Sequence, residues 1–390
     1  VLSARKLASL VRALVALAVL VGAAAAIAWP REDFDLMAYV GVVHRYDART
    51  DGEARARTLA DLERHLTPER YAWMVGRDYP DSYARAMASD DRSFGQQLGW
   101  FRGRPLFTRA AWALVRCGLS VPRALHAVAW LSSLALAALF FVATAGVSRA
   151  WLRLASFALI AGVFHLADLA ASPLADPLSA LLVVGGTLLA LQAGRPRAGL
   201  GVLVLAVFAR TDNAMYAASL AVFVCMMHMT PSDDATPRPR PLEALGAAAV
   251  ALGLRAWLER DGYGWWALVH FRRVRFEPYP AEVHPPFSLA TYLGVVRAWA
   301  LEVYTCEVLA LVGLAWLVFG ARGELRRQPL VAYGALMVPL SVARFLAFPD
   351  WDSRFFLAPL GLFFVGLAYA LDARLTARAA SRATRAIVKP

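Results

Sequence analysis

The feature that most constrains this chain is a set of apolar runs about as long as a bilayer is thick. Residues 7–29, 122–147, 299–319 and 330–348 each approach or exceed the roughly 20 residues that cross about 30 Å of hydrocarbon. Hydrocarbon offers no partner to a backbone N–H or C=O, so such a chain must form helices or a closed barrel. The runs are continuous where barrel strands would alternate, which predicts helices. A hydrophobic content of 59% and a mean hydropathy of +0.49 exclude an ordinary soluble enzyme. The expected fold class is all-α, a polytopic transmembrane helical bundle.

Arginine marks the order of crossings. Arg5, Lys6 and Arg12 flank the first run and place the amino terminus in the cytoplasm by the positive-inside bias. The length of this run, and the proline and acids after it, favour a retained first span (1–29) over a cleaved signal peptide. Residues 30–104 then form an extracytoplasmic loop whose 12 Arg against 13 Asp plus Glu, a net of −1, suit a translocated segment. Leu36, Val40, Val43 and Tyr46 recur at helical spacing, which predicts a juxtamembrane helix lying along the interface. A transmembrane core (105–258) holds crossings over 122–147, 151–169 and 173–192, a short hairpin over 199–229, and a crossing over 242–258. Arg149, Arg153, Arg195, Arg197, Arg238 and Arg240 mark its cytoplasmic turns. A second external loop (259–286) carries Trp265, Trp266, Arg272, Arg273 and Arg275. Spans over 299–319, 330–348 and 355–371 complete the core (287–371), with Arg322, Arg326 and Arg327 inside. About ten crossings result, with both termini cytoplasmic. The tail (372–390) sets Arg374, Arg378, Arg382, Arg385 and Lys389 against Asp372, a net of +4 that suits anionic lipid better than nucleic acid.

The turns assigned to the outer side collect charge that topology does not require. Asp33 and Asp35 follow the first span. Asp168 and Asp176 surround the next external turn, Arg210, Asp212 and Asn213 sit at the hairpin tip, and Arg344, Asp350, Asp352 and Arg354 bracket the last turn. Ionisable groups near hydrocarbon are expensive and usually mark a site. Each has a structural alternative. Asp33 also fits a helix cap, Asp176-Pro177 a common helix start, and the Arg210/Asp212 pair an internal ion pair. His165 and Asp168 fit an internal hydrogen bond better than a zinc set, and Cys117, Cys225 and Cys306 read as small core side chains. No P-loop, dinucleotide fingerprint or Gly-x-Ser-x-Gly occurs, which argues against ATP-driven chemistry.

The order of these motifs resembles the GT-C superfamily of membrane glycosyltransferases. The resemblance lies in the exit of the first span through Asp33 and Asp35, the re-entry at Arg104-Pro105-Leu106-Phe107, and the span start Leu174-Ala175-Asp176-Pro177-Leu178. It continues in the tip Arg210-Thr211-Asp212-Asn213 and the last turn Phe348-Pro349 to Arg354-Phe355-Phe356. It implies a polyprenyl-phosphate sugar donor and an extracytoplasmic site in a bacterial-type inner (plasma) membrane. An acid after the first span would be base or metal ligand, so Asp33 and Asp35 are the positions for any divalent cation (Mg or Mn). The large carboxy-terminal soluble domain of many members is missing, so the glycan, lipid or protein acceptor falls to the loops.

On that reading Asp35 or Asp33 takes the acceptor proton, and Arg210, Arg354 and Arg344 hold the departing phosphate. Asp176, Asp212, Asn213 and Asp352 complete the donor site. Trp265 and Trp266 either stack on a sugar or anchor the interface, and aromatic-belt anchoring also accounts for Trp351 and Phe355. A lipid-linked glycan transporter or flippase is the alternative, and it predicts paired half-helices. A non-enzymatic membrane scaffold is the third reading, and it leaves Arg210 and Asp212 unexplained.

Overall fold

Apolar sequence becomes helix here, and prolines set where several helices begin. Pro105, Pro122, Pro177, Pro196, Pro241 and Pro329 all occupy first-turn positions, where the missing N–H has no intrahelical partner to lose. The computed structural model describes residues 22, 24, 27, 28, 30–77, 83–228, 239–300, 305–350 and 352–388. Most of the first apolar run, with Arg5, Lys6 and Arg12, lies outside the described residues, as do Arg238, Trp351 and Lys389. No strand occurs among the described residues.

The segment 30–104 folds as five helices: α1 (Asp35–Arg45), α2 (Asp51–His65), α3 (Pro68–Met74), α4 (Tyr83–Ser89) and α5 (Asp91–Gln97). Thr50, Thr67 and Asp90 cap α2, α3 and α5 by accepting the N–H groups of Glu53, Arg70 and Ser93. The apolar stripe on α1 predicts a helix lying on an interface, but every residue from Leu36 to Val43 is buried. α2 covers one side, while α6 (Pro105–Arg116) and α7 (Val121–Ala143) cover the rest.

The chain continues through α8 (Ala150–Val163), α9 (Leu166–Ala171), α10 (Asp176–Leu191), α11 (Pro196–Ala206), α12 (Ala214–His228) and α13 (Pro241–Leu258). Then come α14 (Trp265–Arg273), α15 (Leu289–Ala300), α16 (Thr305–Gly320), α17 (Arg322–Arg327), α18 (Pro329–Ala347) and α19 (Leu357–Val388). Among the described residues four helices are long and apolar enough to cross a membrane: α7, α13, α18 and the 357–382 part of α19. α8, α10, α11 and residues 308–320 of α16 are apolar but shorter. Large apolar side chains face outward, with Leu242 84% and Phe319 80% exposed, an exterior suited to hydrocarbon rather than water.

Three expected crossings take a different form. Residues 151–169 split into α8 and α9 at His165, whose φ of 47° puts a left-handed kink in the run. Residues 299–319 fall on the end of α15 and on α16, and 301–304 between them are outside the described residues. The last span and the basic tail form one uninterrupted helix, α19, because nothing after Leu371 breaks it. The stretch between Leu357 and Asp372 covers about 22 Å at ~1.5 Å per residue. Asp372 is gripped there by Arg149 and Ser148, far from the start of the helix.

α10 is central, packing against α7, α11, α18 and α19. It lies closest to α11, where a Cβ on Gly199 would fall 2.5 Å from the Gly186 carbonyl oxygen and 2.6 Å from the Ala190 nitrogen. Backbone cannot yield as a side-chain tip can, so Gly199→Ala is expected to cost about 1–3 kcal/mol. Gly201→Ala, which meets nothing within 4 Å, is the control. Thermal unfolding in detergent checks this: Gly199→Ala lowers the midpoint and Gly201→Ala does not.

Candidate functional site

The residues singled out at the ends of separate runs meet at one end of the bundle. Asp176 opens α10 and is buried, and its Oδ1 accepts from Arg210 Nη1 at 2.6 Å. Arg210 also holds Asp212 through Nε at 3.0 Å and Nη2 at 3.2 Å. Arg344, in the last turn of α18, donates from Nη2 to Asp212 Oδ2 at 2.7 Å, so one carboxylate bridges two guanidiniums. Arg354 lies in the short turn before α19, with Nε 2.8 Å from Asp352 Oδ2. Its Nη1 faces both acids of the first segment, 3.8 Å from Asp33 Oδ2 and 3.7 Å from Asp35 Oδ2.

Phe355 organises the cations. The guanidinium carbons of Arg210, Arg344 and Arg354 lie 4.8, 4.8 and 5.0 Å from its ring centre. An aromatic face attracts each cation by its quadrupole and spaces three like charges that would otherwise repel. A cavity of about 20 Å³ opens among Asp176, Arg210, Asp212, Tyr216, Arg344 and Arg354, enough for about one water molecule. Arg344 Nη1 has no hydrogen-bond partner, although Arg344 is only 7% exposed. A buried charged donor left unpaired is costly, and an anion entering the cavity would satisfy it.

The field in the site follows from this pairing. Burial opposes the Asp212 charge, but Arg210 and Arg344 outweigh it and hold that carboxyl far below the usual range. Burial also works against Arg354, and Asp176, Asp35, Asp352 and Asp33 more than compensate, so its charge is locked in place. Burial and the neighbouring Asp35 carboxylate push Asp33 above the ordinary aspartate value. Burial raises Asp352 likewise.

Not every predicted ligand faces the cavity with free atoms. Asn213 lines it, but its amide nitrogen donates to Ser179 Oγ and the Ala206 carbonyl, which ties the hairpin tip to α10 and α11. Trp265 and Trp266 lie elsewhere, their indole N–H groups spent on the Ala347 and Pro286 carbonyls. His165 and Asp168 form a separate exposed pair with Arg31. Among the described residues no three His, Cys, Asp or Glu side chains are arranged to hold a metal ion. Asp33 and Asp35 do not fit a resident divalent ion as they stand, because the Arg354 guanidinium already supplies the cation between them.

Sequence reasoning missed three participants. Tyr216 lines the cavity one turn after Asp212. Phe355 reads as an interface anchor until the three arginines are seen around it. Arg104 donates to the buried Tyr39 hydroxyl, one turn along α1 from Asp35, and carries the re-entry segment into the site. Comparison with known proteins finds no matching family model, no matching curated protein and no matching solved structure.

Removing Arg210 strands the buried Asp176 carboxylate and leaves Asp212 with Arg344 alone. Arg210→Leu is expected to destabilise the fold by roughly 3–5 kcal/mol, and Arg210→Leu combined with Asp176→Leu to recover part of that loss. Thermal unfolding of both variants checks this; equal midpoints would mean that the pair is not coupled.

Proposed function

We propose that this chain is a membrane glycosyltransferase of the GT-C kind, moving a sugar from a polyprenyl-phosphate donor to a hydroxyl acceptor. One observation carries the reading: three guanidiniums gathered on Phe355, one with a free buried donor, stand beside an Asp33/Asp35 pair at one end of an apolar bundle. A phosphate on a lipid needs this combination, because the head group must be held by fixed cations while the chain stays in hydrocarbon.

The chemistry follows from the groups present. The acceptor O–H gives its proton to the carboxylate of Asp35 or Asp33 as its oxygen bonds to the anomeric carbon. The bond from that carbon to the phosphate oxygen breaks, and its electron pair leaves on the phosphate. Arg354, Arg344 and Arg210 stabilise the growing charge. Attack opposite the leaving phosphate inverts the anomeric centre. In the cavity as it stands a sugar phosphate does not fit, so donor entry requires Arg354 to exchange its contacts. Those with Asp33 and Asp35, near 3.7 Å, are longer than hydrogen bonds and the easiest to exchange.

The same reading places about ten crossings in a bacterial-type inner membrane, with both termini cytoplasmic and the cluster on the extracytoplasmic face. The acceptor, a glycan, lipid or protein, approaches from the segments 30–104 and 259–286. These pack on each other through Ser93, Gln97 and Tyr263, which donate to the carbonyls of Pro278, Glu277 and Gln96.

The test is release of free polyprenyl phosphate by purified protein. Asp35→Asn or Asp33→Asn is expected to lower turnover by about 10²–10⁴-fold, the range for a general base. Arg354→Gln is expected to weaken donor binding by about 10–100-fold, the loss of one hydrogen bond to a charged group. Asp33 is ionised only above its raised pKa. If it is the base, turnover falls as pH drops through a limb lying above ~3.9, the value for a free aspartate. Unchanged turnover in both acid variants would remove the base assignment.

A further inference from the structure

One buried ion pair outside the cluster runs into it. Arg273 ends α14, in the segment 259–286, and its Nη2 meets the carboxylate of Asp350. Both side chains are sealed, 7% and 2% exposed, and the Arg273 guanidinium lies flat on Trp299 of α15, 3.6 Å from the ring centre. A pair that only fastened α14 to the bundle could end there.

This one continues. Asp350 Oδ1 accepts the Asp352 N–H at 2.9 Å, while Oδ2 faces Arg273. Asp352 repeats the pattern: Oδ1 accepts the Arg354 N–H at 3.3 Å, and Oδ2 faces the Arg354 guanidinium. Each carboxylate therefore spends one oxygen on the turn and one on an arginine. The result is a connected line of charged groups, with two aspartates between the arginines, from Arg273 through Asp350, Asp352 and Arg354 to Asp33 and Asp35.

We infer that Arg273 is a positioning residue for the phosphate-binding arginine Arg354, acting through Asp350 and the turn that both aspartates brace. The inference rests on the donor-phosphate reading above and adds a residue from the second loop to it. Arg273 does not line the cavity, so its effect on Arg354 is to pass through the turn. Lysine could restore the charge, but not the planar guanidinium over Trp299 that fixes its direction.

The experiment is equilibrium dialysis of farnesyl phosphate, a short isoprenyl monophosphate, against the full chain in detergent, reading both Kd and binding stoichiometry. Arg273→Gln is expected to raise Kd about tenfold or more, as a misplaced contact group does, with the stoichiometry of the folded fraction unchanged. Arg273→Lys should recover only part of the affinity. A merely structural pair would instead lower the stoichiometry and the unfolding midpoint and leave Kd where it was, and that result overturns the inference. Should Arg273→Gln fail to fold, Arg273→Gln with Asp350→Asn leaves no buried charge unpaired. It is expected to show the same rise in Kd, and an unchanged Kd in it is equally fatal. Arg354→Gln separates the two claims. If it binds farnesyl phosphate as the wild type does, the phosphate reading fails. If it binds weakly while the Arg273 variants bind normally, the phosphate reading stands and the positioning role falls.

Discussion

A guanidinium held among apolar helices survives only if carboxylates are held there with it. That constraint shapes this molecule. Arg210 brings together α10, through Asp176, and the turn before α12, through Asp212; Arg344 adds α18, and Arg354 adds the turn before α19 together with Asp33 and Asp35. Apart from Arg210 with Asp212, these ion pairs span segments far apart in the chain, so the charges specify how the helix ends must meet. Apolar packing alone would not fix this, since one leucine-rich face fits another about as well at several registers. Removing one guanidinium leaves the carboxylates it shares underpaired, which is why these pairs are expected to behave as a unit.

The opposite end of the bundle is built on different terms. Asp372 on α19 is held by Arg149 and by the backbone and hydroxyl of Ser148, a compact capping arrangement with every carboxylate oxygen engaged. There the arginines of α19 continue into exposed helix. At the cluster end the pairing is incomplete. Arg344 keeps a free donor, and Arg354 meets Asp33 and Asp35 only at 3.8 and 3.7 Å, beyond hydrogen-bond distance. An end that only stabilised the fold would resemble the Asp372 end; the incompleteness is what makes the other end the candidate site.

Much of this was legible in the sequence because burying charge is expensive whatever the fold. Asp33, Asp35, Asp176, Arg210, Asp212, Arg344, Asp352 and Arg354 stood out as ionisable groups at the ends of apolar runs, and the structure joins all of them. What the sequence hid depends on neighbours distant in the chain. The stripe on α1 looked interfacial because its periodicity cannot reveal that α2, α6 and α7 cover the remaining sides. Phe355 looked like an anchor because an aromatic at a membrane boundary is common, and the three cations around it come from three separate segments. Asn213 looked like a ligand because an amide in an apolar hairpin needs partners, and it found them in Ser179 and Ala206 instead. The kink at His165 puts a histidine, not a glycine, in the left-handed conformation, which the sequence does not announce.

The most direct measurement is a cryo-EM map of the protein in lipid nanodiscs loaded with a polyprenyl phosphate. The account predicts density for the phosphate inside the ring of Arg210, Arg344 and Arg354, at hydrogen-bond distance from Arg344 Nη1, with Arg354 turned away from Asp33 and Asp35. Phosphate density elsewhere on the molecule, beside a cluster whose ion pairs are unchanged, would contradict it.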